Sequence, residues 1–144
     1  MYSKPAKNII FVVADGMGPA YSSGYRYFVD DPKTKVVELT VLDELLVGAA
    51  STYPDSGLGV VTDSAAAATA LSAGVKTYNG AIAMDVDKQP VTTVLELAKA
   101  RGMRTGIAVT SQIVHATPAA FMVHNESRKN YDAIADAYLS LIHI

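Results

Sequence analysis

The sequence predicts a layered αβα fold with a largely parallel central sheet. Three observations lead to this prediction: strand-like and helix-like segments alternate along the chain, the first strand-like segment is apolar throughout, and no repeat or low-complexity linker interrupts the pattern. Such alternation is typical of βαβ units, in which helices cover a parallel sheet. With 144 residues, 50% of them hydrophobic, the chain is long enough for one domain or part of one and too apolar to be disordered.

Four short segments are predicted to be strands. The first, residues 8–14, is continuously apolar and rich in β-branched residues, as the central strands of parallel sheets are. The others are apolar stretches at residues 49–53, 81–84 and 105–110. Because the first strand ends at Asp15, we expect this carboxylate at the carboxyl edge of the sheet, where open α/β sheets bind ligands.

Helices are predicted between and after these strands. The clearest begins at Asp63 or Ser64, which are good capping residues, and ends at Gly74. The spacing of apolar residues predicts a second helix over residues 91–100. Further helices are expected at residues 20–28, 41–46 and 131–138, a turn at Asn79-Gly80, and a loop that contains Pro118 after the last strand.

Composition excludes several functional classes. The 12 Lys and Arg residues against 14 Asp and Glu residues give a formal charge of −2 without a basic block, which argues against electrostatic nucleic-acid binding. Cysteine is absent, which excludes disulfides, thiolate catalysis and zinc ribbons. No apolar run reaches the roughly 18 residues of a membrane span. The N-terminus also lacks the core of a signal peptide, so we expect no membrane span and no export signal in this chain.

Two positions near predicted helix starts could carry chemistry. Asp15, followed by Gly16 and Gly18, could bind a metal ion with little steric cover, or it could cap the next helix. The third glycine of a dinucleotide loop is replaced by Tyr21, so that interpretation is weak. At Ser64, backbone N–H groups and the positive end of the helix dipole favour phosphate or a serine alkoxide, and a simple helix cap is the alternative.

Three residues further along the chain are candidate ligands. His115 and Thr117 follow a predicted strand and could present ligand atoms at the sheet edge, or they could be an ordinary loop histidine and turn threonine. Arg128 has the planar guanidinium that binds phosphate through two hydrogen bonds, although most single arginines are only solvated. His124 fits no zinc motif. Together, a carboxylate, a helix-start serine, a His/Thr pair and an arginine at one sheet edge suit phosphoryl transfer.

Five short motifs occur in order between Lys7 and Arg128. They are N-I-I leading to D-G-M-G at residues 8–18, V-T-D-S-A-A at 61–66, G-V-K-T-Y-N-G at 74–80, H-A-T-P-A-A at 115–120 and S-R-K at 127–129. In this order and spacing they resemble the alkaline phosphatase family. The resemblance implies an αβα fold and metal-dependent hydrolysis of phosphate monoesters through a phosphoserine intermediate.

The resemblance also implies roles for the site residues. Ser64 would be the nucleophile that becomes phosphoserine, and it would also contact metal. Arg128 would hold two phosphate oxygens, with Asp63 orienting it. Asp15 would bridge one zinc ion and the magnesium ion, and Thr117 would be a ligand at the magnesium site.

His115 occupies a position beside the magnesium site that is Asp in some family members and His in others. Because an imidazole nitrogen is a softer ligand than a carboxylate oxygen, zinc or cobalt becomes plausible at that site. The implied cofactors are therefore two Zn²⁺ ions and one Mg²⁺ ion, with Zn²⁺ or Co²⁺ possible at the third site.

The histidines are too few for the implied zinc sites. Each catalytic zinc ion typically takes three protein ligands, and only His115 and His124 lie before residue 139. We therefore expect residues 1–138 to be the N-terminal part of one alkaline-phosphatase-like domain, inactive alone. Residues 139–144 (LSLIHI) match the translation of a sequencing-library adapter, and we expect them to be a non-native read-through tail; a native helix end is the alternative.

Partners and alternatives follow from the same resemblance. It implies small-molecule phosphate monoesters as substrates, no nucleic-acid specificity, a homodimer at full length, and a periplasmic or extracellular location. One alternative is a related phosphodiesterase or sulfatase-like hydrolase, although the T-D-S-A context of Ser64 together with Arg128 favours a monoesterase. The other is a non-enzymatic phosphate-binding module that uses the Gly16/Gly18 turn and the Ser64 helix start without metals.

Overall fold

The computed structural model describes residues 6–55, 57 and 59–142 and contains six helices in that range. The chain divides into two compact units between Ala49 and Ala50. The first unit holds two helices, and the second holds the other four. No helix in the described part of the chain combines the length and the apolar character needed to cross a membrane.

The first unit contains α1, Pro19–Val29, and α2, Val41–Leu45, which confirms both helices predicted there. Proline at the start of α1 loses no helical hydrogen bond, because the first N–H groups of a helix have no acceptor within it. A reciprocal capping box between Thr40 and Asp43 begins α2. Hydrogen bonds from the Arg26 guanidinium link the two helices and hold the pKa of the Asp43 carboxyl well below its ordinary value.

The strand predicted at residues 8–14 does not form, so this prediction is wrong. The segment is irregular, and Ile10 and Val12 are 89% and 82% exposed. A strand forms only where a neighbouring strand accepts and donates its backbone hydrogen bonds. No such neighbour pairs with this segment within the described residues.

The second unit contains α3 (Ser64–Ala73), α4 (Val94–Ala100), α5 (Ala116–Met122) and α6 (Tyr131–Ile142). Helix α3 packs against α5, and α4 contacts both. Helix α3 carries the small, buried residues Ala65, Ala66 and Ala68, and the Ser72 hydroxyl at its other end donates to Ala120 O of α5 at 2.6 Å.

The caps of α3 confirm the sequence prediction. The carboxylate of Asp63 accepts a hydrogen bond from Ala66 N–H, and Gly74 ends the helix in the left-handed region at φ +72°. Helix α4 begins later than predicted, because Thr93 and Glu96 form a capping box immediately before and inside it. Helix α6 runs beyond its predicted end at Tyr138 to Ile142; residues 143 and 144 lie outside the described residues.

The loop predicted around Pro118 is a helix, α5, and this prediction is therefore wrong. Pro118 lies in the first turn of α5. Backbone N–H groups in that turn have no acceptor within the helix, so a proline there costs no helical hydrogen bond. Proline is commonly taken to indicate a loop, but it is compatible with a helix when it lies in the first turn.

The other predicted strands are also absent as regular elements. Residues 49–53 and 105–110 are irregular, and residues 81–84 make only isolated antiparallel bridges, Ile82 to Asn125 and Met84 to Pro90. The segment 81–84 is nevertheless buried, because side chains satisfy its backbone. The Thr69 hydroxyl donates to Ala81 O at 3.1 Å and accepts from Ala83 N–H at 3.0 Å.

Candidate active site

Ser64 is the first residue of α3, directly after its cap. The Asp63 Oδ1 atom accepts from Ala66 N–H at 2.9 Å, and the Asp63 carbonyl accepts from Ala67 N–H at 3.1 Å. Ser64 itself is half-buried. Because the partial positive charge of a helix is concentrated in its first turn, Ser64 stands where negative charge on its oxygen is stabilised.

The guanidinium of Arg128 contacts the N-cap residues of α3 and α5. Its Nη1 donates to Asp63 Oδ2 at 3.1 Å, and its Nη2 lies 3.1 Å from Nε2 of His115, the residue that caps α5. An arginine side chain can only donate, so His115 Nε2 accepts and the ring carries its proton on Nδ1. The ion pair is partly desolvated, with side-chain exposures of 24% for Arg128 and 27% for Asp63.

Asn79 connects the loop before Ser64 to a turn that contacts Arg128. Its Oδ1 accepts from Asp63 N–H at 2.9 Å, and its Nδ2 donates to Val61 O at 2.9 Å. The carbonyl of the next residue, Gly80, accepts the backbone N–H of Arg128 at 2.8 Å. From the sequence, Asn79 is identified as a turn residue and not as a site residue. Its place within the motif of residues 74–80 is the sequence feature that could have indicated a role in the site.

The remaining predicted site residues lie on two elements. Thr117 is half-buried in the first turn of α5, two residues after His115. Asp15 is an exposed residue of the first unit, in a turn closed by Met17 N–H to Ala14 O at 3.1 Å. The structure thus brings Asp63, His115 and Arg128 together and places Ser64 and Thr117 next to them along the chain. Asp15 belongs to the other unit.

The metal-binding capacity of these residues is incomplete. Within residues 6–55, 57 and 59–142, no three His, Cys, Asp or Glu side chains cluster as a potential metal site. The Nε2 atom of His115 faces Arg128, so this nitrogen cannot bind a cation while that contact is made. The described residues do not fit a complete metal site by themselves.

His124, for which the sequence suggested no ligand motif, links two segments of the second unit through its ring nitrogens. Its Nδ1 lies 2.9 Å from Ala83 O, and its Nε2 lies 3.0 Å from Glu96 Oε1. Partial burial raises the pKa of the Glu96 carboxyl, but hydrogen bonds from Thr93 N–H and His124 outweigh it and leave that pKa below its ordinary value. This cluster ties the start of α4 to the segment 81–84.

Comparison with known proteins identifies the class of protein. The sequence profile of the alkaline phosphatase family matches residues 6–140. The crystal structure of a cold-active alkaline phosphatase from the psychrophile Shewanella sp. matches with a TM-score of 0.85 and 66% identity, over 89% of this chain and 32% of that one. The structural neighbours are phosphatases with an αβα fold, which supports the predicted fold class; the parallel sheet is not seen among the described residues.

The chain belongs to the alkaline phosphatase family. Alkaline phosphatase 3 of Bacillus subtilis is 58% identical to it over 132 residues, which are 92% of this chain and 29% of that protein. A His-to-Asp variant of the alkaline phosphatase from the Antarctic bacterium TAB5, with Mg bound in its M3 site, matches with a TM-score of 0.55 and 42% identity, over 56% of this chain and 23% of that one. The chain therefore spans less than a third of the length of these relatives.

Proposed function

We propose that the protein containing this chain hydrolyses phosphate monoesters through a phosphoserine formed on Ser64. The observation that carries the proposal is the hydrogen bond between Arg128 and Asp63, 3.1 Å long, which holds a guanidinium beside the residue that precedes Ser64. Family membership and the matching alkaline phosphatases support it. Small phosphate monoesters are the proposed substrates, and no feature of the chain calls for nucleic-acid specificity.

In the proposed reaction, Ser64 Oγ attacks phosphorus and the ester P–O bond breaks. The serine proton ends on the leaving alcohol through solvent. Water then attacks the phosphoserine, the Oγ–P bond breaks, inorganic phosphate leaves and Ser64 regains a proton. Contacts to Asp63 and His115 use only part of the donor set of Arg128, so further N–H groups remain for two phosphate oxygens. The start of α3 stabilises the phosphoserine charge.

The proposed cofactors are two Zn²⁺ ions and one Mg²⁺ ion, with Zn²⁺ or Co²⁺ possible at the third site. Asp15, Ser64, Thr117 and His115 would contribute ligand atoms, His115 through Nε2 once its contact with Arg128 is released, and the remaining ligands would come from chain beyond these residues. Such ions promote ionisation of a serine hydroxyl and stabilise a leaving oxygen. The TAB5 alkaline phosphatase with Asp in place of one histidine has Mg bound in its M3 site, and we propose that His115 occupies the corresponding position.

We further propose that residues 1–138 are the N-terminal part of one alkaline-phosphatase-like domain. The chain spans only 29% and 32% of these relatives, which supports a partial domain; the proposed boundary at residue 138 depends on the last six residues of the sequence alone. Residues 139–144 would then be a read-through tail, and the whole protein a periplasmic or extracellular homodimer. Sequencing the source DNA past codon 138 from an independent library tests the division; the same six codons followed by a stop would contradict it.

The test of function uses the full-length protein and p-nitrophenyl phosphate. We expect zinc-dependent hydrolysis and a phosphorylated peptide containing Ser64 after an acid quench, both lost in Ser64→Ala. Ser111→Ala is the matched control, because Ser111 is an exposed serine whose hydroxyl donates to the neighbouring Gln112 O. Hydrolysis that persists in Ser64→Ala would contradict the phosphoserine.

The same assays separate the alternatives. Faster cleavage of bis-p-nitrophenyl phosphate than of the monoester would indicate a phosphodiesterase. Phosphate binding that survives both EDTA and Ser64→Ala, with no hydrolysis in the unsubstituted protein, would indicate a binding module. The monoesterase proposal predicts neither result.

A further inference from the structure

We infer that Asn79 is a positioning residue that holds the Asp63–Arg128 pair beside Ser64. This inference rests on the proposed function, because it assigns Asn79 to the same site. The Asn79 side chain bonds to the backbone of Asp63 and of Val61, so its effect would pass through the backbone on both sides of the pair.

The first link joins Asn79 to the loop that leads into α3. The carboxamide accepts from Asp63 N–H and donates to Val61 O, each at 2.9 Å. A carboxamide has both a donor and an acceptor, so it pairs with one N–H and one carbonyl as another backbone segment would. Two bonds to neighbouring backbone groups restrict rotation of the loop about the contact more than one bond would.

The second link joins the same turn to Arg128. Ala81 N–H donates to Tyr78 O at 3.2 Å and closes the turn, in which Gly80 takes φ +94°. The Gly80 carbonyl accepts from Arg128 N–H at 2.8 Å. Beside it, Ile82 and Asn125 exchange two backbone hydrogen bonds of 2.9 Å, which keep the two segments in register.

These links close a ring of contacts. Asp63 is bonded to Asn79, the adjacent Gly80 is bonded to Arg128, and Arg128 returns to Asp63 through its side chain. The three segments are far apart in sequence, so their relative position depends on these bonds rather than on local geometry. Because a misplacement of about 1 Å in a catalytic group can cost about 100-fold in rate, a loose Asp63 would be detected kinetically.

The test compares Asn79→Ala with Asn130→Ala in the full-length protein. Asn130 is an exposed asparagine whose carboxamide donates to Asn125 Oδ1 at 2.9 Å, so its removal deletes a comparable side-chain bond that involves neither Asp63, Gly80 nor Arg128. We expect Asn79→Ala to lower kcat/KM by about 10- to 100-fold and to weaken inhibition by inorganic phosphate, whereas Asn130→Ala leaves both close to the unsubstituted protein.

A double-mutant cycle with Arg128→Ala distinguishes positioning from general destabilisation. If Asn79 acts through Arg128, the two losses in kcat/KM are less than multiplicative. Independent, multiplicative losses, or an unchanged kcat/KM in Asn79→Ala, would overturn the inference. Rescue is expected to be incomplete in Asn79→Asp, since that variant keeps the acceptor for Asp63 N–H but loses the donor to Val61 O.

Amide hydrogen exchange separates this inference from the proposed function. Asn79→Ala should speed exchange at the Asp63 and Arg128 N–H groups relative to Asn130→Ala, whether or not the protein is a phosphatase. If the unsubstituted protein does not hydrolyse phosphate esters, the proposed function fails, and the inference fails with it as a statement about catalysis. If it does hydrolyse them and exchange at both amides is unchanged in Asn79→Ala, only the inference fails.

Discussion

The Nη1 atom of Arg128 donates to Asp63 Oδ2 at 3.1 Å, while Oδ1 of the same carboxylate caps α3 through Ala66 N–H. The Asp63 carboxylate therefore makes two distinct interactions, one through each oxygen atom. It completes the start of the helix that carries Ser64, and it orients the guanidinium proposed to bind phosphate. Because the two tasks use different oxygen atoms, substitution can remove one of them and keep most of the other.

The first prediction separates these tasks at Asp63. Asp63→Asn keeps an oxygen acceptor for the cap but removes the charge that pairs with Arg128, so we expect weaker phosphate inhibition and lower kcat/KM with little loss of stability. Asp63→Ala removes both and should also cost about 1 kcal/mol of folding free energy. Denaturant unfolding and steady-state kinetics of the full-length protein check this; equal stability losses in both variants would contradict it.

The second prediction concerns His115 and the metal preference. His115→Asp puts a hard oxygen ligand in place of a nitrogen, and the carboxylate can still accept from the Arg128 guanidinium. We expect activation by Mg²⁺ to increase relative to Zn²⁺ or Co²⁺ in metal-depleted full-length protein. His115→Gln is the control, since it keeps a polar acceptor without adding charge. A metal profile that is the same in all three proteins would contradict the assignment.

The third prediction is a pH effect on stability at Glu96. The pKa of this carboxyl lies below its ordinary value of 4.5 in the folded protein, so the unfolded chain binds its proton first as the pH falls. The stabilisation is therefore present above pH 4.5 and lost as the pH falls below it, through the folded-state pKa. Melting temperatures measured across this range should fall less steeply in Glu96→Gln. Glu44→Gln, on α2, is the control, and parallel curves for all three proteins would refute the prediction.

The fourth prediction contrasts two glycines that have no atom within 4 Å of an added Cβ. Gly74 ends α3 at φ +72°, so Gly74→Ala should destabilise the protein by about 1 kcal/mol through backbone strain. Gly24 lies inside α1 in ordinary helical geometry, so Gly24→Ala should stabilise it by about 0.5–1 kcal/mol. Denaturant unfolding measures both, and a shift of the same sign in the two variants would contradict the prediction, because the two sites differ in backbone conformation and not in space.

Local signals predicted the helices well and the strands poorly. The cap residues of α3 and the periodicity of α4 lie within a few residues of the elements they define, so they can be read from the sequence. A strand depends on a partner elsewhere in the chain, and the apolar pattern of residues 8–14 contains no information about whether that partner is in place. Pro118 was misread for a related reason, because its tolerance depends on where a helix begins.

Sequence alone determined the family, the Ser64 helix start and the candidate residues, because ordered motifs and capping residues act over short distances. The tertiary structure decided the contacts that the family resemblance did not imply. The contact of His115 with Arg128 and the bonds of Asn79 to the loop before Ser64 join segments that are far apart along the chain. Such contacts depend on how the helices pack and how polar groups find partners, and residue spacing does not encode either property.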